Sequence, residues 1–533
     1  MYNNYPPLQQ RQLALQEYSN TQSTYLLVCA PARSTALKAT LTDQLHRKFR
    51  LVDRLDGELT ASVDGVLLAA EDVELMSTAL MYFAKALQDG ADYAVCNAVF
   101  GFGGATALYQ SQPLQAQNRC AVVSRTLLER CRAAAHDPEN VPELLALAAQ
   151  LCTKPTLIPQ ALLHYERGIC AEDAFSAHGK RAFIMSHVLD MTGAPIVLVS
   201  AVPVLRSMGY EVLVLGPSDG GSLHLFLDAG ASVITRSSCR NVSDAWGMAL
   251  CADFVIVNTV VMARAVRALS GTAVPVLWWL HDAFAGYPHI AHQIPTQLGE
   301  NVRVYSVGSH AANAMRAVRP EFEIRPLIYG LPDYAAENFV RTDLGYNRGR
   351  PLFATVGSFE RRKGHDIFCK AIRLLPPEVR EKASFLFVGQ AADKEMMDSV
   401  RTLTADYPEN VFYCKRLTRD EIKSLMEQCT GLVCASRDDP MPTFVTEGLI
   451  FGKPSIVSEH TGTAGLISEG RNGFVYHDDD PQQLAVLLEH AIEHPEELAS
   501  MRTECRKMYE QYYSKEAFEQ TLRAAVEDLT AKK

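Results

Sequence analysis

The fold of this chain is decided by residues 431–454, which read G-L-V-C-A-S-R-D-D-P-M-P-T-F-V-T-E-G-L-I-F-G-K-P. Residues 431–435 form a short apolar run, which is typical of a buried strand. After a loop over 437–446, Glu447 opens a second apolar run that closes with Gly-Lys-Pro, the order in which helices end. The stretch therefore predicts a strand, a loop at its carboxyl end, and a short helix.

Two carboxylates lie eight positions apart in this stretch, Asp439 and Glu447. Ligands of open parallel sheets bind at the carboxyl ends of the strands, so both residues belong to a predicted ligand site. A carboxylate that bonds vicinal hydroxyls holds the ribose in many such domains, and Glu447 suits that role. The alternative is a glutamate favoured at a helix N-terminus by the helix dipole.

Short β-branched runs alternate with amphipathic runs in two successive blocks of the chain. The predicted strands are 181–187, 211–216, 253–258, 274–280 and 302–307 in the first block, and 351–356, 384–388, 411–413, 432–435, 455–457 and 473–476 in the second. This alternation predicts two doubly wound parallel sheets, with a ligand cleft between the two αβ domains. An amphipathic helix over 514–529 is expected to cross back onto the first αβ domain.

Composition excludes several classes of protein. The 533 residues are 48% hydrophobic and 21% charged, which is typical of a globular chain. A net charge of −10 argues against a nucleic-acid partner. The thirteen cysteines form no C-x-x-C pair and are expected to be reduced thiols of a cytosolic protein. The apolar runs are short of the roughly 20 residues that span a bilayer, so no transmembrane segment is predicted.

A basic turn, G-S-F-E-R-R-K-G, occupies residues 357–364 after the first strand of the second block. The backbone N–H groups of this turn, together with its adjacent cations Arg361, Arg362 and Lys363, suit a diphosphate. A solvated basic loop is the alternative.

A second turn, H-T-G-T-A-G over 460–465, is expected to open another helix. The amides of Gly462 and Thr463 would then face phosphate. A plain strand-to-helix turn explains the same residues nearly as well.

The first block carries two further motifs. L-D-M-T-G-A-P at 189–195 joins its first strand to a helix predicted over 195–208, and a turn with proline at the first helical position explains it adequately. W-W-L-H-D at 278–282 places His281 beside Asp282 at the end of a strand. A histidine there is a candidate for proton transfer, although a structural hydrogen bond is the more frequent role.

Signatures of other chemistries are absent from the sequence. It has no G-x-x-x-x-G-K-[ST], no G-x-S-x-G, no H-E-x-x-H, and no G-x-G-x-x-G that opens a helix. These absences argue against a P-loop NTPase, a serine hydrolase, a zinc protease and a dehydrogenase.

Residues 180–530 resemble a retaining glycosyltransferase of the GT-B fold, in family four of the nucleotide-sugar-dependent enzymes. The family's E-x(7)-E motif stands here as Asp439 to Glu447, with aspartate in the first place. The less specific marks of the family are S-H-x(5)-G-A-P from Ser186 to Pro195, N-T-V at 258–260 and W-W-L-H-D at 278–282. This chain departs from the family's usual G-R-L opening, because Ser358 stands where arginine is frequent. Arg361 or Arg362 would then be the second cation beside Lys363.

The resemblance implies a role for each matching residue. The donor-binding residues would be Gly193, Gly357, Arg362, Lys363, Glu447, Gly462 and Thr463, the catalytic ones His281, Lys363 and Asp439, and the acceptor-binding one Asp282. A nucleoside diphosphate sugar is the expected co-substrate. No cofactor and no metal are expected, because cations and helix N-termini would supply the charge stabilisation.

Residues 24–168 resemble a shortened family two glycosyltransferase of the GT-A fold. D-G-V-L-L-A-A-E-D-V-E-L at 64–75 is similar to the strand that leads into that family's D-x-D metal motif, and I-P-Q-A-L-L-H-Y at 158–165 is similar to its closing segment. Ala69 and Glu71 stand at the two motif carboxylates, so the first aspartate is missing. A noncatalytic module is therefore expected.

The predicted organisation is a GT-A-like module over 1–170, an acceptor domain over 180–330, a donor domain over 351–510 and a C-terminal helix over 511–533. The implied function is sugar transfer with retention to a glycan or lipid-linked glycan in surface polysaccharide biosynthesis. The expected location is cytoplasmic, with peripheral contact at the inner face of the membrane left open. Two alternatives stay open: a nucleotide-sugar hydrolase or epimerase of the same fold, and a noncatalytic sugar-binding or scaffold protein of a glycan assembly complex.

Overall fold

The computed structural model describes most of the chain. The described residues are 24–29, 37, 40, 41, 44, 46, 48–52, 54, 55, 63–69, 73–76, 78–102, 106–110, 120–165, 179–218, 220–236, 239, 240 and 244–531. The chain divides into two compact units, Met1–Asp253 and Phe254–Lys533.

The first unit is built on a mixed sheet. Its strands are β1 Leu26–Cys29, β2 Phe49–Val52, β3 Gly65–Ala69, β4 Glu74–Leu75, β5 Tyr93–Phe102, β6 Thr106–Gln110, β7 Cys120–Ser124, β8 Pro155–Tyr165, β9 Lys180–Met185, β10 Tyr210–Gly216 and β11 Ser232–Arg236. Its helices are α1 Ala79–Gln88, α2 Arg125–Ala134, α3 Val141–Leu151, α4 Gly193–Ser207 and α5 Leu223–Asp228, followed by a 3₁₀ segment, Asp244–Cys251. The strand order is β9-β10-β11-β6-β5-β7-β3-β1-β2, with β8 beside β5 and β4.

An apolar core fixes the N-terminal part of this unit. Leu27, Val66 and Val123 of the sheet pack with Leu128 of α2 and Leu144 of α3, all with at most 1% of their surface exposed. Both helices begin at capping side chains, as Ser124 and Asn140 each accept a bond from a backbone N–H of the first turn. The helices are thereby set to cover one face of the sheet.

The sequence pattern also predicts a helix over 74–88 in the N-terminal part, and this prediction is wrong at its start. Glu74 and Leu75 form β4, which pairs antiparallel with β8, and α1 begins only at Ala79. Because a sheet ladder uses the backbone groups of residues 74 and 75, they cannot join the helix. Ala69 is the buried last residue of β3, whereas Glu71, the other position of the motif, lies outside the described residues.

Strands β9 and β10 are parallel, as predicted for the start of the first block, and β11 pairs parallel with β10. Helix α4 begins at Gly193, two residues before the predicted start, because Pro195 needs no N–H partner in a first turn. Strands β6 and β11 were not predicted. They pair antiparallel over 106–109 and 233–236, so the sheet of the N-terminal part continues into this parallel part.

The second unit contains two parallel sheets. Its strands are β12 Phe254–Asn258, β13 Val276–Leu280, β14 Val302–Ser306, β15 Ile324–Pro326, β16 Leu352–Val356, β17 Ser384–Val388, β18 Val411–Cys414, β19 Gly431–Cys434, β20 Ser455–Ser458 and β21 Gly473–Tyr476. Its α-helices are α6 Ala263–Leu269, α7 Ser309–Val318, α8 His365–Leu374, α9 Pro377–Arg380, α10 Lys394–Asp406, α11 Arg419–Gln428, α12 Thr443–Ile450, α13 Pro481–Glu493, α14 Pro495–Ser500, α15 Arg502–Met508 and α16 Lys515–Thr530. Shorter 3₁₀ turns are Val260–Met262, Phe284–Gly286, Ala291–Gln293, Arg361–Lys363 and Ala464–Leu466, and Tyr509–Tyr513 is a π-helical turn.

The strand predictions for the second block are confirmed to within about one residue at each end. These strands form one sheet in the order β18-β17-β16-β19-β20-β21, with every neighbouring pair parallel. Strands β12 to β15 form a parallel array in the order β15-β14-β13-β12. The doubly wound αβ pattern is therefore correct, although the short strand β15 was not predicted.

The helix after the deciding stretch starts earlier than predicted. Helix α12 begins at Thr443, with Pro442 as its N-cap, so Glu447 lies in its second turn rather than at its start. The predicted loop therefore shrinks to 437–442. The dipole explanation for Glu447 loses its basis, because that effect is confined to the first turn.

The turn over 460–465 also differs from its prediction. It leads into a three-residue 3₁₀ turn, Ala464–Leu466, rather than a helix, since Ile467 already has extended backbone.

The C-terminal helix α16 packs on the strands of the first block. The ring of Phe518 in α16 stacks on Trp279, and Asp528 pairs with Arg325. Among the described residues, no helix combines the length and the apolar character needed to cross a membrane.

Candidate functional site

A nearly buried ion pair lies at the carboxyl ends of β16 and β19. Nζ of Lys363 is 2.6 Å from Oδ2 of Asp439, and the two side chains are 17% and 5% exposed. The other carboxylate oxygen of Asp439 accepts a bond from the N–H of Met441. The structure thus brings together a cation and a carboxylate that are 76 positions apart.

The basic turn is fixed to β19 by backbone contacts. Gly364 has φ +66°, and a Cβ added there would lie 1.8 Å from the carbonyl oxygen of Ala435. The positive φ favours glycine, and the close approach leaves no room for a Cβ, so both features require glycine at this position. The carbonyl of Arg362 accepts the N–H of Arg437, and the Arg362 side chain pairs with Glu360. The turn therefore holds Lys363 toward the sheet while the Arg362 side chain is partly exposed.

Glu447 is buried, and it is paired with an arginine that sequence analysis did not identify. Nη1 of Arg419 lies 2.6 Å from Oε1 of Glu447, and the guanidinium lies 4.0 Å over the ring of Tyr334. Burial raises the pKa of Glu447, and Arg419 opposes the shift. No sequence spacing indicated this pair, because Arg419 begins a helix on a different strand-to-helix connection.

The buried Tyr329 contacts the start of α12, which lies between the two carboxylates of the motif in the sequence. Its hydroxyl lies 3.3 Å from Oγ1 of Thr443. Burial raises the pKa of Tyr329, Thr443 opposes this, and the negative charges of Asp439 and Glu447 raise it further.

Gly462 and Thr463 lie against the same loop. A Cβ added to Gly462 would be 1.7 Å from the carbonyl oxygen of Pro440, and the N–H of Gly462 donates to the carbonyl of Asp439. The buried hydroxyl of Thr463 lies 3.2 Å from that of Thr461. The turn after β20 is thus packed directly on the loop that carries Asp439.

His281 and Asp282 follow β13, as predicted. The imidazole of His281 lies 4.7 Å from the ring of Trp279. Oδ2 of Asp282 accepts the N–H of Val260 at 2.6 Å, and burial raises the pKa of Asp282 to about 6. Thr259, just before Val260, has φ +69°, a strained conformation for a β-branched residue. Strain of this kind concentrates at functional sites.

Asp438 is a site residue that sequence analysis missed. Its carboxylate accepts the N–H groups of Phe284 and Ala285, at 3.0 and 2.8 Å, and contacts Nε2 of His310 at 2.7 Å. The only sequence signal was its position beside Asp439, which does not distinguish the two aspartates. The structure separates them, because Asp439 faces Lys363 while Asp438 faces the segment after β13.

Gly193 lies in the first unit, as the first residue of α4. A Cβ added to Gly193 would meet nothing within 4 Å, so the space beside this residue is open. The remaining predicted site residues, from His281 to Thr463, lie in the second unit. In the described part of the chain, no three His, Cys, Asp or Glu side chains are grouped so as to hold a metal ion.

Family models match both αβ blocks of the chain. Residues 178–318 match the model described as glycosyl-transferase family 4, and residues 337–508 match glycosyl transferases group 1. Together the matches span more than half of the chain. This chain belongs to the glycosyltransferases of the GT-B type. Residues before 178 lie outside both matches, so the GT-A resemblance of residues 24–168 stays a prediction.

Curated relatives of this glycosyltransferase match over short stretches. Spore coat protein SA of Bacillus subtilis is 28% identical over 160 residues, which is 28% of this chain and 41% of the relative. An uncharacterized glycosyltransferase of Methanocaldococcus jannaschii is 26% identical over 197 residues, or 36% of this chain and 53% of the relative. The chain thus spans about half or less of the length of these relatives.

Solved structures share the GT-B fold with this glycosyltransferase. HepE of Anabaena, solved in complex with UDP, has a TM-score of 0.53 at 18% identity, over 66% of this chain and 100% of HepE. Sucrose-phosphate synthase of Thermosynechococcus elongatus has a TM-score of 0.53 at 15% identity, with the same coverages. HepE has also been solved in complex with UDP-glucose. At these identities the likeness shows the fold alone.

Proposed function

We propose that this protein transfers a sugar from a nucleoside diphosphate sugar to a glycan or lipid-linked glycan acceptor, with retention of configuration. The observation that carries the proposal is the ion pair of Lys363 and Asp439 at the carboxyl ends of two strands of one parallel sheet, which is where such sheets bind ligands. Glu447 is buried in the helix that follows one of these strands. The match of residues 178–318 to family 4 supports retention. UDP is the first nucleotide to test, because HepE was solved with it.

In the proposed reaction, Lys363 and Arg362 neutralise the diphosphate as it departs. The bond from the sugar's anomeric carbon to the diphosphate breaks, and the acceptor oxygen bonds to that carbon on the same face. The acceptor's proton passes to the departing diphosphate. Glu447 holds the ribose hydroxyls, Asp439 lies near the sugar hydroxyls, and His281 and Asp282 face the sugar and the acceptor.

Charge stabilisation without a metal is part of the proposal. Lys363, Arg362 and the amides at Gly357 and Gly462 would meet the diphosphate, and a preorganised set of donors of this kind stabilises developing charge effectively. In the structure Lys363 already pairs with Asp439, so the diphosphate would share this cation with the carboxylate.

We further propose that the N-terminal module is noncatalytic and docks, positions acceptor or mediates assembly in surface polysaccharide biosynthesis, on the cytoplasmic side of the membrane. Ala69 supports this, because its methyl group replaces the first carboxylate of the metal motif at the end of β3. Glu71→Ala should leave turnover unchanged. An inactive but folded Glu71→Ala variant, or an obligatory divalent cation, would overturn this assignment.

The proposed function is tested by measuring the melting temperature with a panel of ligands: UDP, GDP, ADP, CMP and the common sugar conjugates of these nucleotides. Each ligand is tested with and without EDTA. A ligand at a hundredfold excess over its Kd stabilises the fold by roughly 2.7 kcal/mol. We expect one nucleoside diphosphate to raise the melting temperature in EDTA, with the effect lost in Lys363→Ala and kept in Lys370→Ala. Lys370 is a matched control, because it is an exposed cation on α8.

The remaining outcomes separate the alternatives. If no nucleotide shifts the melting temperature, the chain is a noncatalytic scaffold or sugar-binding protein. If the sugar nucleotide is consumed equally with and without glycan, the enzyme is a hydrolase or an epimerase, and product analysis distinguishes these two.

A further inference from the structure

Asp438 joins two segments of the second unit that are far apart in sequence. It stands in the loop after β19, and its partners Phe284, Ala285 and His310 lie 128 to 154 positions away. Only 9% of Asp438 and 5% of His310 is exposed. Three donors therefore converge on one carboxylate with little competition from water.

The negative charge of Asp438 is stabilised by its hydrogen-bond donors. Burial alone would raise the pKa of its carboxyl, but His310 and the N–H groups of Ala285 and Phe284 hold it below its ordinary value. The carboxylate is therefore ionised at neutral pH. Hydrogen bonds to a charged group contribute more than neutral ones, so this is a firm attachment.

The two attached segments carry the candidate site residues. Asp438 is adjacent to Asp439, the partner of Lys363. Phe284 follows His281 and Asp282 by three and two residues. A displacement of Asp438 would therefore change the distance between Asp439 and His281.

Packing around the attachment is close. The ring of Phe284 lies 5.0 Å from that of His310. A Cβ added to Gly308, two residues before His310, would lie 2.9 Å from the side chain of Met441 and 3.2 Å from Gly462. The loop of Asp438 and the turn of Gly462 thus both rest on the start of α7.

We propose that Asp438 is a positioning residue, which holds the segment carrying His281 and Asp282 in place against the loop carrying Asp439. The inference rests on the proposed function, because it assigns the alignment of the reacting groups to a residue that need not touch the nucleotide. Displacing a reacting group by about 1 Å can lower a rate by roughly a hundredfold.

The decisive variant is Asp438→Asn in the full-length chain. Asparagine has one acceptor oxygen, so its NH2 group must face either the N–H of Ala285 or the N–H groups of Phe284 and His310. In either orientation a donor faces a donor, and at least one of the bonds is lost. His310→Gln is the second variant, since it keeps both backbone contacts. Asp393→Asn is the matched control, because Asp393 caps α10 by accepting two backbone N–H bonds away from these segments.

The measurements are the Kd for UDP by calorimetry, kcat and KM for UDP-glucose turnover, and hydrogen exchange of a peptide over 281–290. If the panel selects GDP or ADP, that nucleotide and its glucose conjugate replace UDP. We expect Asp438→Asn to keep Kd within about twofold, lower kcat by about tenfold or more and speed exchange over 281–290. His310→Gln should show a smaller change in the same direction, and Asp393→Asn none.

A folded Asp438→Asn variant with wild-type kcat and KM would overturn the inference while leaving the proposed function intact. Loss of UDP affinity in proportion to kcat would also overturn it, because Asp438 would then act in donor binding. A wild-type chain that neither binds nor turns over any nucleotide overturns the proposed function and this inference with it.

Discussion

Nζ of Lys363 lies 2.6 Å from Oδ2 of Asp439 in a place where both side chains are largely shielded from water. Such a pair is costly to break, because removing one partner leaves the other charge buried and uncompensated. The same pair stands where the proposed diphosphate and sugar would bind. Stability and donor binding are therefore expected to depend on the same two residues.

Lys363→Ala should lower the affinity for the selected nucleoside diphosphate by about 10- to 100-fold, because a charge-assisted bond contributes roughly 1.5–3 kcal/mol. Calorimetry on the wild type, Lys363→Ala and Lys370→Ala measures this. The melting temperature of Lys363→Ala should also fall, and the double variant Lys363→Ala with Asp439→Asn should recover part of the loss. Unchanged nucleotide affinity in a folded Lys363→Ala variant would contradict the assignment.

Glu447→Gln keeps the size of the side chain and removes the charge that is proposed to hold the ribose hydroxyls. We expect a loss of about 10-fold or more in affinity for UDP, and a much smaller loss for 2′-deoxy-UDP, which lacks one of those hydroxyls. Glu427→Gln is the control, as that glutamate pairs with Arg341 on the surface. Equal losses for the two nucleotides would show that Glu447 does not contact the 2′-hydroxyl.

Gly193→Ala separates a binding role from a structural one. A methyl group at Gly193 meets nothing within 4 Å, so the melting temperature should stay within about one degree or rise, as alanine favours helix. Nucleotide affinity should nevertheless fall if phosphate approaches this helix N-terminus. The melting temperature without ligand and the Kd for the nucleotide are measured on the same preparation. An unchanged Kd would remove Gly193 from the donor site.

Asp282 gives a prediction for the pH dependence of stability. Its pKa is about 6 in the folded protein, above the unfolded value of about 3.9, so the folded state binds the proton more tightly. The stabilisation from its protonated form is complete below about pH 4 and is lost as pH rises through 6. Relative to Asp282→Asn, the wild type should therefore lose about 1–3 kcal/mol of unfolding free energy between pH 4 and pH 7. Denaturant titrations at pH 4.5, 5.5 and 7 check this, and parallel curves for the two proteins would contradict it.

Gly364→Ala tests the close approach of the basic turn to β19. Gly364 and Gly470 have nearly the same φ, +66° and +69°, but an added Cβ meets the Ala435 carbonyl only at Gly364. Gly470→Ala should cost about 1–2 kcal/mol of unfolding free energy, and Gly364→Ala about 3 kcal/mol or more. Equal costs in urea unfolding would show that the turn moves freely away from the strand.

Several features of the second sheet could be predicted because their causes are local. Strands such as Ser384–Val388 and Gly473–Tyr476 are short apolar runs bounded by polar or turn residues, and their limits were predicted without error. The placement of Asp439 after β19 follows from the same reasoning. The start of α12 could not be predicted, because Thr443 to Thr446 are poor helix formers by propensity and are helical through burial and tertiary packing.

The sequence by itself determined the αβ alternation, the turns that carry Lys363 and Gly462, and the two carboxylates of the motif, since each depends on residues adjacent in the chain. The tertiary structure alone decided that Arg419 pairs with Glu447, that Asp438 rather than Asp439 holds the segment after β13, and that β6 pairs with β11. These relationships join residues 28 to about 150 positions apart. No local pattern encodes them, because they form only when separate elements pack and their buried polar groups must find partners.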